Sequence, residues 1–194
     1  MNYQKHNQRN MQYLLFDKAL HDEYTFYVLT QQFPVFESLF KETEHESLIE
    51  VAPYIFVIDQ NWKQQIASIP HAKFDSYLIV ESEKELTAFR KHLQQFIYQQ
   101  VEGKNYFFRI WDGHVLEKFL PTCNLEQLRM FYKNIEAISF EDIVGKKQLI
   151  FEVNQAKVVI KKVLIEEKIQ AAITPQEQEI PVPKIEGKQA RKWL

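Results

Sequence analysis

Three apolar runs in this chain end in aspartate. Tyr13-Leu14-Leu15-Phe16 stops at Asp17, Tyr54-Ile55-Phe56-Val57-Ile58 at Asp59, and Tyr106-Phe107-Phe108-Arg109-Ile110-Trp111 at Asp112. In open α/β sheets, ligands bind beyond the carboxyl ends of the strands. Three such carboxylates on parallel, adjacent strands would converge on a Mg²⁺ ion, as in a receiver or phosphatase-like site. The competing reading is that each aspartate caps the turn or helix that follows it. A second constellation pairs Cys123 with His114 as base and Asp112 as the group orienting the imidazole. Nothing around Cys123 marks a strained nucleophile turn, and a buried cysteine behaves as a small hydrophobe. The six histidines show no pair at a metal-ligand spacing, and the four glycines form no phosphate-cradling loop. Kinase, P-loop and Rossmann chemistry are therefore set aside. No catalytic residue, metal ligand or cofactor follows from these patterns, and a Mg-dependent acid-cluster enzyme or phospho-receiver stands as the alternative function.

Arg109 lies inside the third apolar run, between Phe108 and Ile110. A guanidinium facing inward there needs a paired, hydrogen-bonded carboxylate, and Asp112 or Asp17 is the natural partner. Phe33, Phe36, Phe40, Tyr54, Phe56 and Trp62 cluster in sequence. They read either as core or, where exposed, as a binding groove, since aromatics are enriched at interface hot spots. Phe36, Phe40, Tyr54, Trp62 and Trp193 are the candidate partner contacts.

The elements that must position these residues centre on 76–142. A strand run, Tyr77-Leu78-Ile79-Val80, leads to a helix whose start shows the capping-box spacing of Ser82 and Glu85. Leu86, Phe89, Leu93, Phe96, Ile97 and Val101 recur at helical spacing, and Gly103 stands where a helix C-cap tolerates positive φ. Asn105 to Asp112 reads as the next strand, completing a strand–helix–strand unit. Gly113–Leu120 is helical, broken at Pro121, and a second short helix starts at Asn124 with Gln127 three residues on. Ile135 to Phe140 is a further strand.

Upstream, Tyr13–Phe16, Val35–Phe40 and Val51–Ile58 read as strands, with Pro53 near a strand start where a missing N–H is tolerated. Asp22–Gln32 and Asn61–Ile69 read as helices. Downstream, Gln148–Val153 and Lys157–Ile165 are rich in alternating and β-branched residues, and read as a hairpin turning at Asn154-Gln155. The expected fold is α/β, a mixed β-sheet with flanking helices, a C-terminal β-hairpin and a flexible Pro-rich tail. Its parts are a polar N-terminal arm (1–12), an α/β domain (13–145), the hairpin extension (146–172) and the tail (173–194).

A chain of 194 residues with 45% hydrophobic and 14% aromatic content is long and apolar enough for a substantial core. A net charge of −2 gives no electrostatic footprint for nucleic acid. No apolar run approaches the ~20 residues of a membrane span, and the N-terminal stretch lacks an apolar signal segment. The single cysteine excludes an internal disulfide and fits a reducing compartment. The expectation is a cytoplasmic protein with neither nucleic-acid nor membrane partners.

The string FFRIWDGHVLEKFLPTCNLEQLRMFYKNI, residues 107–135, resembles a family signature. Its matching positions are Arg109, Trp111, Asp112, Leu120, Pro121, Thr122, Glu126, Gln127, Leu128 and Phe131. YLLFDKAL (13–20), FESLFKET (36–43) and VAPYIFVID (51–59) resemble the other blocks in order. The family is that of type VI secretion adaptors and effector chaperones, long catalogued as a domain of unknown function and encoded beside the valine-glycine-repeat spike protein (VgrG). Gly113 stands where a proline commonly follows the Asp, and Tyr132-Lys133-Asn134 replaces an aromatic-Gly-Pro turn.

The resemblance implies a non-enzymatic cytosolic adaptor that holds a toxic effector and loads it onto the spike protein. It also marks Asp17, Pro53, Arg109, Trp111, Asp112, Pro121, Thr122 and Gln127 as motif residues with structural roles. A self-assembling component of the same machine is a third reading.

Overall fold

The computed structural model describes residues 10–69, 74, 76–101, 103–154 and 157–164. Strands β1 (Met11–Asp17), β2 (Phe36–Ser38), β3 (Pro53–Ile58), β4 (Ser76–Ser82), β7 (Ile135–Asp142), β8 (Lys147–Asn154) and β9 (Lys157–Leu164) form one sheet in the order β2-β3-β1-β4-β7-β8-β9. Every pairing in it is antiparallel. The expected α/β sheet with flanking helices is present, and the C-terminal hairpin is its last two strands. Of the arm expected at 1–12, Met11 and Gln12 are part of β1 and residues 1–9 lie outside the described residues, as do the hairpin turn at 155–156 and the tail with Trp193.

The central strand β1 buries Tyr13, Leu14, Leu15 and Phe16 in succession, so both faces of the sheet are covered. Successive side chains on a strand point to opposite faces. Phe16 meets Phe26 of helix α1 (Glu23–Gln32), and Tyr77, on the same face by register, meets Trp62 of α2 (Trp62–Ala67) edge-on at 5.0 Å. On the other face Tyr13 stacks on Phe89 of α3 (Leu86–Ile97) at 4.4 Å. Phe140 of β7 packs there against α4 (Gly113–Phe119), with His114 edge-on at 4.8 Å. The result is three layers, helix on sheet on helix.

Two expectations about α3 are corrected. Ser82 and Glu85 form no capping box: Glu85 is the N-cap with no side-chain cap bond. The Ser82 hydroxyl instead donates to the Asn134 carbonyl at 2.6 Å and accepts from the Lys84 amide. It is spent on closing β4 against the loop before β7. The helix also ends at Ile97, not beyond Val101. Residues Tyr98–Val101 become strand β5 and pair with β6 (Lys104–Phe107) in a separate two-stranded sheet. Gly103, at φ +73°, serves the tight turn of that hairpin and not a helix end. Consequently the run 105–112 is no strand of the main sheet. It leaves β6 at Phe107 and crosses in irregular backbone to Asp112.

At α5 (Leu125–Phe131) local chemistry is as expected. Asn124 accepts from the Gln127 amide at 2.9 Å, and the Gln127 side chain accepts from the Asn124 amide at 2.8 Å, a complete capping box.

Candidate functional site

The three strand-end aspartates do not converge. Because β1 and β3 run antiparallel, Asp17 pairs with Pro53 and Gln12 with Ile58. Asp59 is thereby placed at the far end of the sheet from Asp17, ~20 Å away at strand rise. Each carboxylate caps the turn after it: Asp17 accepts from the Ala19 amide, Asp59 from Asn61, and Asp112 from His114 and Val115. Among the described residues no group of three or more His, Cys, Asp or Glu side chains is arranged to hold a metal ion. The magnesium-cluster alternative loses its geometric basis. The Cys123–His114 pairing fares the same way. The Cys123 thiol, its pKa raised by burial, lies 3.7 Å from the Phe119 carbonyl, while the His114 ring faces Asp142, Glu117 and Phe140.

The structure does bring together Asp17, Arg109, Trp111 and Asp112. One oxygen of Asp17, Oδ2, accepts from Arg109 Nη2 at 2.6 Å and from the Trp111 indole N–H at 2.9 Å. Arg109 also lies 3.7 Å from Asp112. Arg109 is half-exposed, whereas Trp111 is 6% exposed. A bifurcated, charge-assisted acceptor of this kind is among the stronger hydrogen-bond arrangements. It fastens the irregular stretch 108–112 to the end of β1.

Above this junction opens a groove of about 760 Å³. Its base is Phe40, Trp111 and the Asp17–Arg109 pair. Its sides are Leu20, Leu48 and Val51 from the turns after β1 and before β3, and Tyr98, Tyr106 and Phe107 from the β5–β6 hairpin. Phe107 packs edge-on to both Phe40 (6.1 Å) and Trp111 (5.8 Å), yet is 47% exposed. Leu20, Leu48, Val51 and Tyr106 are exposed as well. Large apolar side chains held in the open around a concave base are what a protein-binding groove needs.

The wall carrying Phe40, Glu44 and His45 is held from behind by Arg90, a fully buried residue of α3. Its guanidinium donates to Glu37 at 2.6 Å, to the Lys41 carbonyl at 2.6 Å and to Glu42 at 3.1 Å. Gln94, one turn on, donates to the carbonyls of Leu39 and Lys41. Burial opposes the charge on Glu37, but hydrogen bonds from Lys41 and Arg90 outweigh it and hold the carboxyl below its usual value.

Of the aromatic candidates among the described residues, only Phe40 lines the groove. Tyr54 and Trp62 are core residues, 5% and 6% exposed, and half-buried Phe36 packs against Phe56 and Tyr54. For Tyr54 and Trp62 burial decides for the core reading, Phe36 is not among the residues lining the groove, and Trp193 is outside the described residues. The motif residues divide in two. Pro53 is buried at the start of β3, beside Asp17. Pro121, Thr122 and Gln127 shape the α4–α5 connection, where Thr122 donates to the Phe119 carbonyl.

The residues that the sequence reading missed are Leu20, Leu48, Val51, Tyr98 and Tyr106. One signal was present: Leu48 and Ile49 form an apolar pair directly following an acidic stretch, outside every strand or helix read from the sequence.

Among the described residues no helix is long and apolar enough to cross a membrane. Neither the curated proteins nor the solved structures yielded a match to this chain. The sequence profile described as "Domain of unknown function (DUF4123)" matches residues 12–130, from β1 through α5. That span is more than half of the chain and contains every residue lining the groove, and on this ground the chain belongs to the DUF4123 family.

Proposed function

We propose that this chain is a non-catalytic adaptor and chaperone of a bacterial type VI secretion system. It binds a toxic effector in the cytoplasm and loads it onto the valine-glycine-repeat spike protein. Membership of a family associated with type VI secretion effectors supports the system. The observation that carries the binding role is the apolar groove built on the Asp17–Arg109–Trp111 junction, inside the family-matched span.

The physical logic is reversible cover. An effector segment that buries ~400 Å² of apolar surface gains ~10 kcal/mol gross at ~25 cal/mol per Å². Ordering the segment and losing its translational freedom offset most of that. The remainder suits an adaptor that must release its cargo at the spike.

Co-expression tests the reading. A candidate effector that is insoluble when expressed alone is expected to become soluble and to co-purify with this chain. An effector whose solubility is indifferent to this chain would remove the chaperone role.

A further inference from the structure

We propose that the basic, aromatic segment 188–194 of this same chain occupies the groove until a partner displaces it. The first support is topological. Leu164 ends β9 opposite Lys147, Lys147 lies opposite Asp142, and Asp142 opposite Ser76. Ser76 begins β4 at the end of the sheet where β1 finishes at Asp17. The chain therefore leaves its last described strand at the same end of the sheet as the groove. Four strand spacings, ~19 Å, separate β9 from β1. Twenty-nine residue steps lie between Leu164 and Trp193, a reach of up to ~95 Å.

Charge supplies the second support. Glu44 lines the groove and Glu46 stands exposed two residues on, whereas Glu42 is already paired with Arg90 and Lys91, Glu50 with Lys18, and the lining cation Arg109 with Asp17. Residues 188–194, KQARKWL, bring three cations and no carboxylate side chain. The third is shape and polarity. Trp193 and Leu194 are the only large apolar side chains in that segment, and the groove offers Phe40, Phe107 and Trp111 in edge-on geometry for an indole. The segment also lies beyond the family match, so it regulates this chain's groove without being part of the shared domain.

A tether of this length gives an effective concentration of order ~1 mM. If the free segment binds with a Kd of ~0.1 mM, the groove is ~90% filled in cis, and an incoming ligand loses ~10-fold in affinity. That threshold would reserve the groove for a strong cargo segment. This consequence rests on the adaptor reading; the contact itself does not.

The test uses the full-length chain and no effector. A fluorescent peptide of residues 186–194 is titrated into wild-type protein and into Trp193→Ala. The variant is expected to bind the peptide about tenfold more tightly, and Glu44→Lys with Glu46→Lys in that background should abolish capture. In parallel, a nitroxide at Gln189→Cys, in a Cys123→Ser chain, should broaden the NMR signals of Leu48 and Tyr106 but not those of Asp59 at the far end of the sheet.

Equal peptide binding by both proteins, or none by Trp193→Ala, overturns the proposal. So does broadening that appears only between labelled and unlabelled copies, which would mean a second molecule's segment fills the groove. Because no effector enters the assay, its failure leaves the adaptor reading standing. Failure of effector co-purification likewise leaves the cis contact standing.

Discussion

The indole N–H of Trp111 and the carboxylate of Asp17, 94 residues apart in sequence, meet at 2.9 Å. Arg109 shares the same oxygen at 2.6 Å. Removing the acceptor leaves a buried indole N–H with no partner and frees the stretch that forms the base of the groove. Asp17→Ala is expected to cost about 3 kcal/mol in urea unfolding. Arg109→Met should cost only about 1 kcal/mol, since its side chain is 40% exposed and solvent screens the pair. Equal losses in the two variants would mean that the ion pair, not the indole bond, fastens the junction.

The groove predicts a separation of stability from binding. Leu48 and Tyr106 are 47% and 51% exposed, so Leu48→Glu and Tyr106→Glu should change stability by about 0.5 kcal/mol or less. Both should nevertheless abolish capture of a partner, because a charge is placed on the apolar wall. Thermal melts and pull-downs on the same preparations check this. A variant that binds as wild type would move the interface elsewhere.

Gly113 is required for close approach, although its φ is not positive. A Cβ added there would fall inside the ring of Phe140, so α4 packs on β7 only where no side chain intervenes. Gly113→Ala is expected to destabilise by about 1–3 kcal/mol through overpacking, despite the better helix propensity of alanine. Gly113→Ala with Phe140→Leu should recover part of the loss in denaturant titration.

Acid should weaken the fold in two steps. Burial lowers the His92 pKa from its usual 6.5, partly opposed by the bond from Nε2–H to the Phe131 carbonyl. Between that lowered value and 6.5 the unfolded chain binds more protons than the folded one. Stability therefore falls as pH drops through this interval. Glu37, held below its usual 4.5 by Lys41 and Arg90 against the effect of burial, contributes stability above 4.5. That share is lost as pH falls through its lowered folded value. Urea midpoints measured against pH should lose the upper step in His92→Gln and the lower step in Glu37→Gln.

Local signals read well from this sequence wherever the partner of a residue is itself local. The Asn124–Gln127 capping box and the aspartate caps at Asp17, Asp59 and Asp112 lie within three residues of what they bind, and the spacing announces them. The matching pattern at Ser82–Glu85 failed because a carbonyl 52 residues away takes the serine hydroxyl. Gly103 misled for the same reason. Helical spacing up to Val101 is real, but cross-strand pairing of Tyr98–Val101 with Lys104–Phe107 prevails over it. Strand direction leaves no local trace at all, so the antiparallel run of β3 that separates Asp59 from Asp17 was not legible. The groove was hardest to foresee. Its sides come from three separated stretches, and the aromatics most dense in sequence, around Tyr54, went into the core.

The proposed binding of a secretion cargo in the groove can be tested in the cell. The most direct measurement is a pull-down of the tagged full-length protein from its own cells, beside Leu48→Glu, with mass spectrometry of what co-elutes. A toxin-like effector, with or without the spike protein, is expected on the wild-type chain and neither on the variant. A wild-type chain that elutes without partners, or the same partners on both proteins, would contradict it.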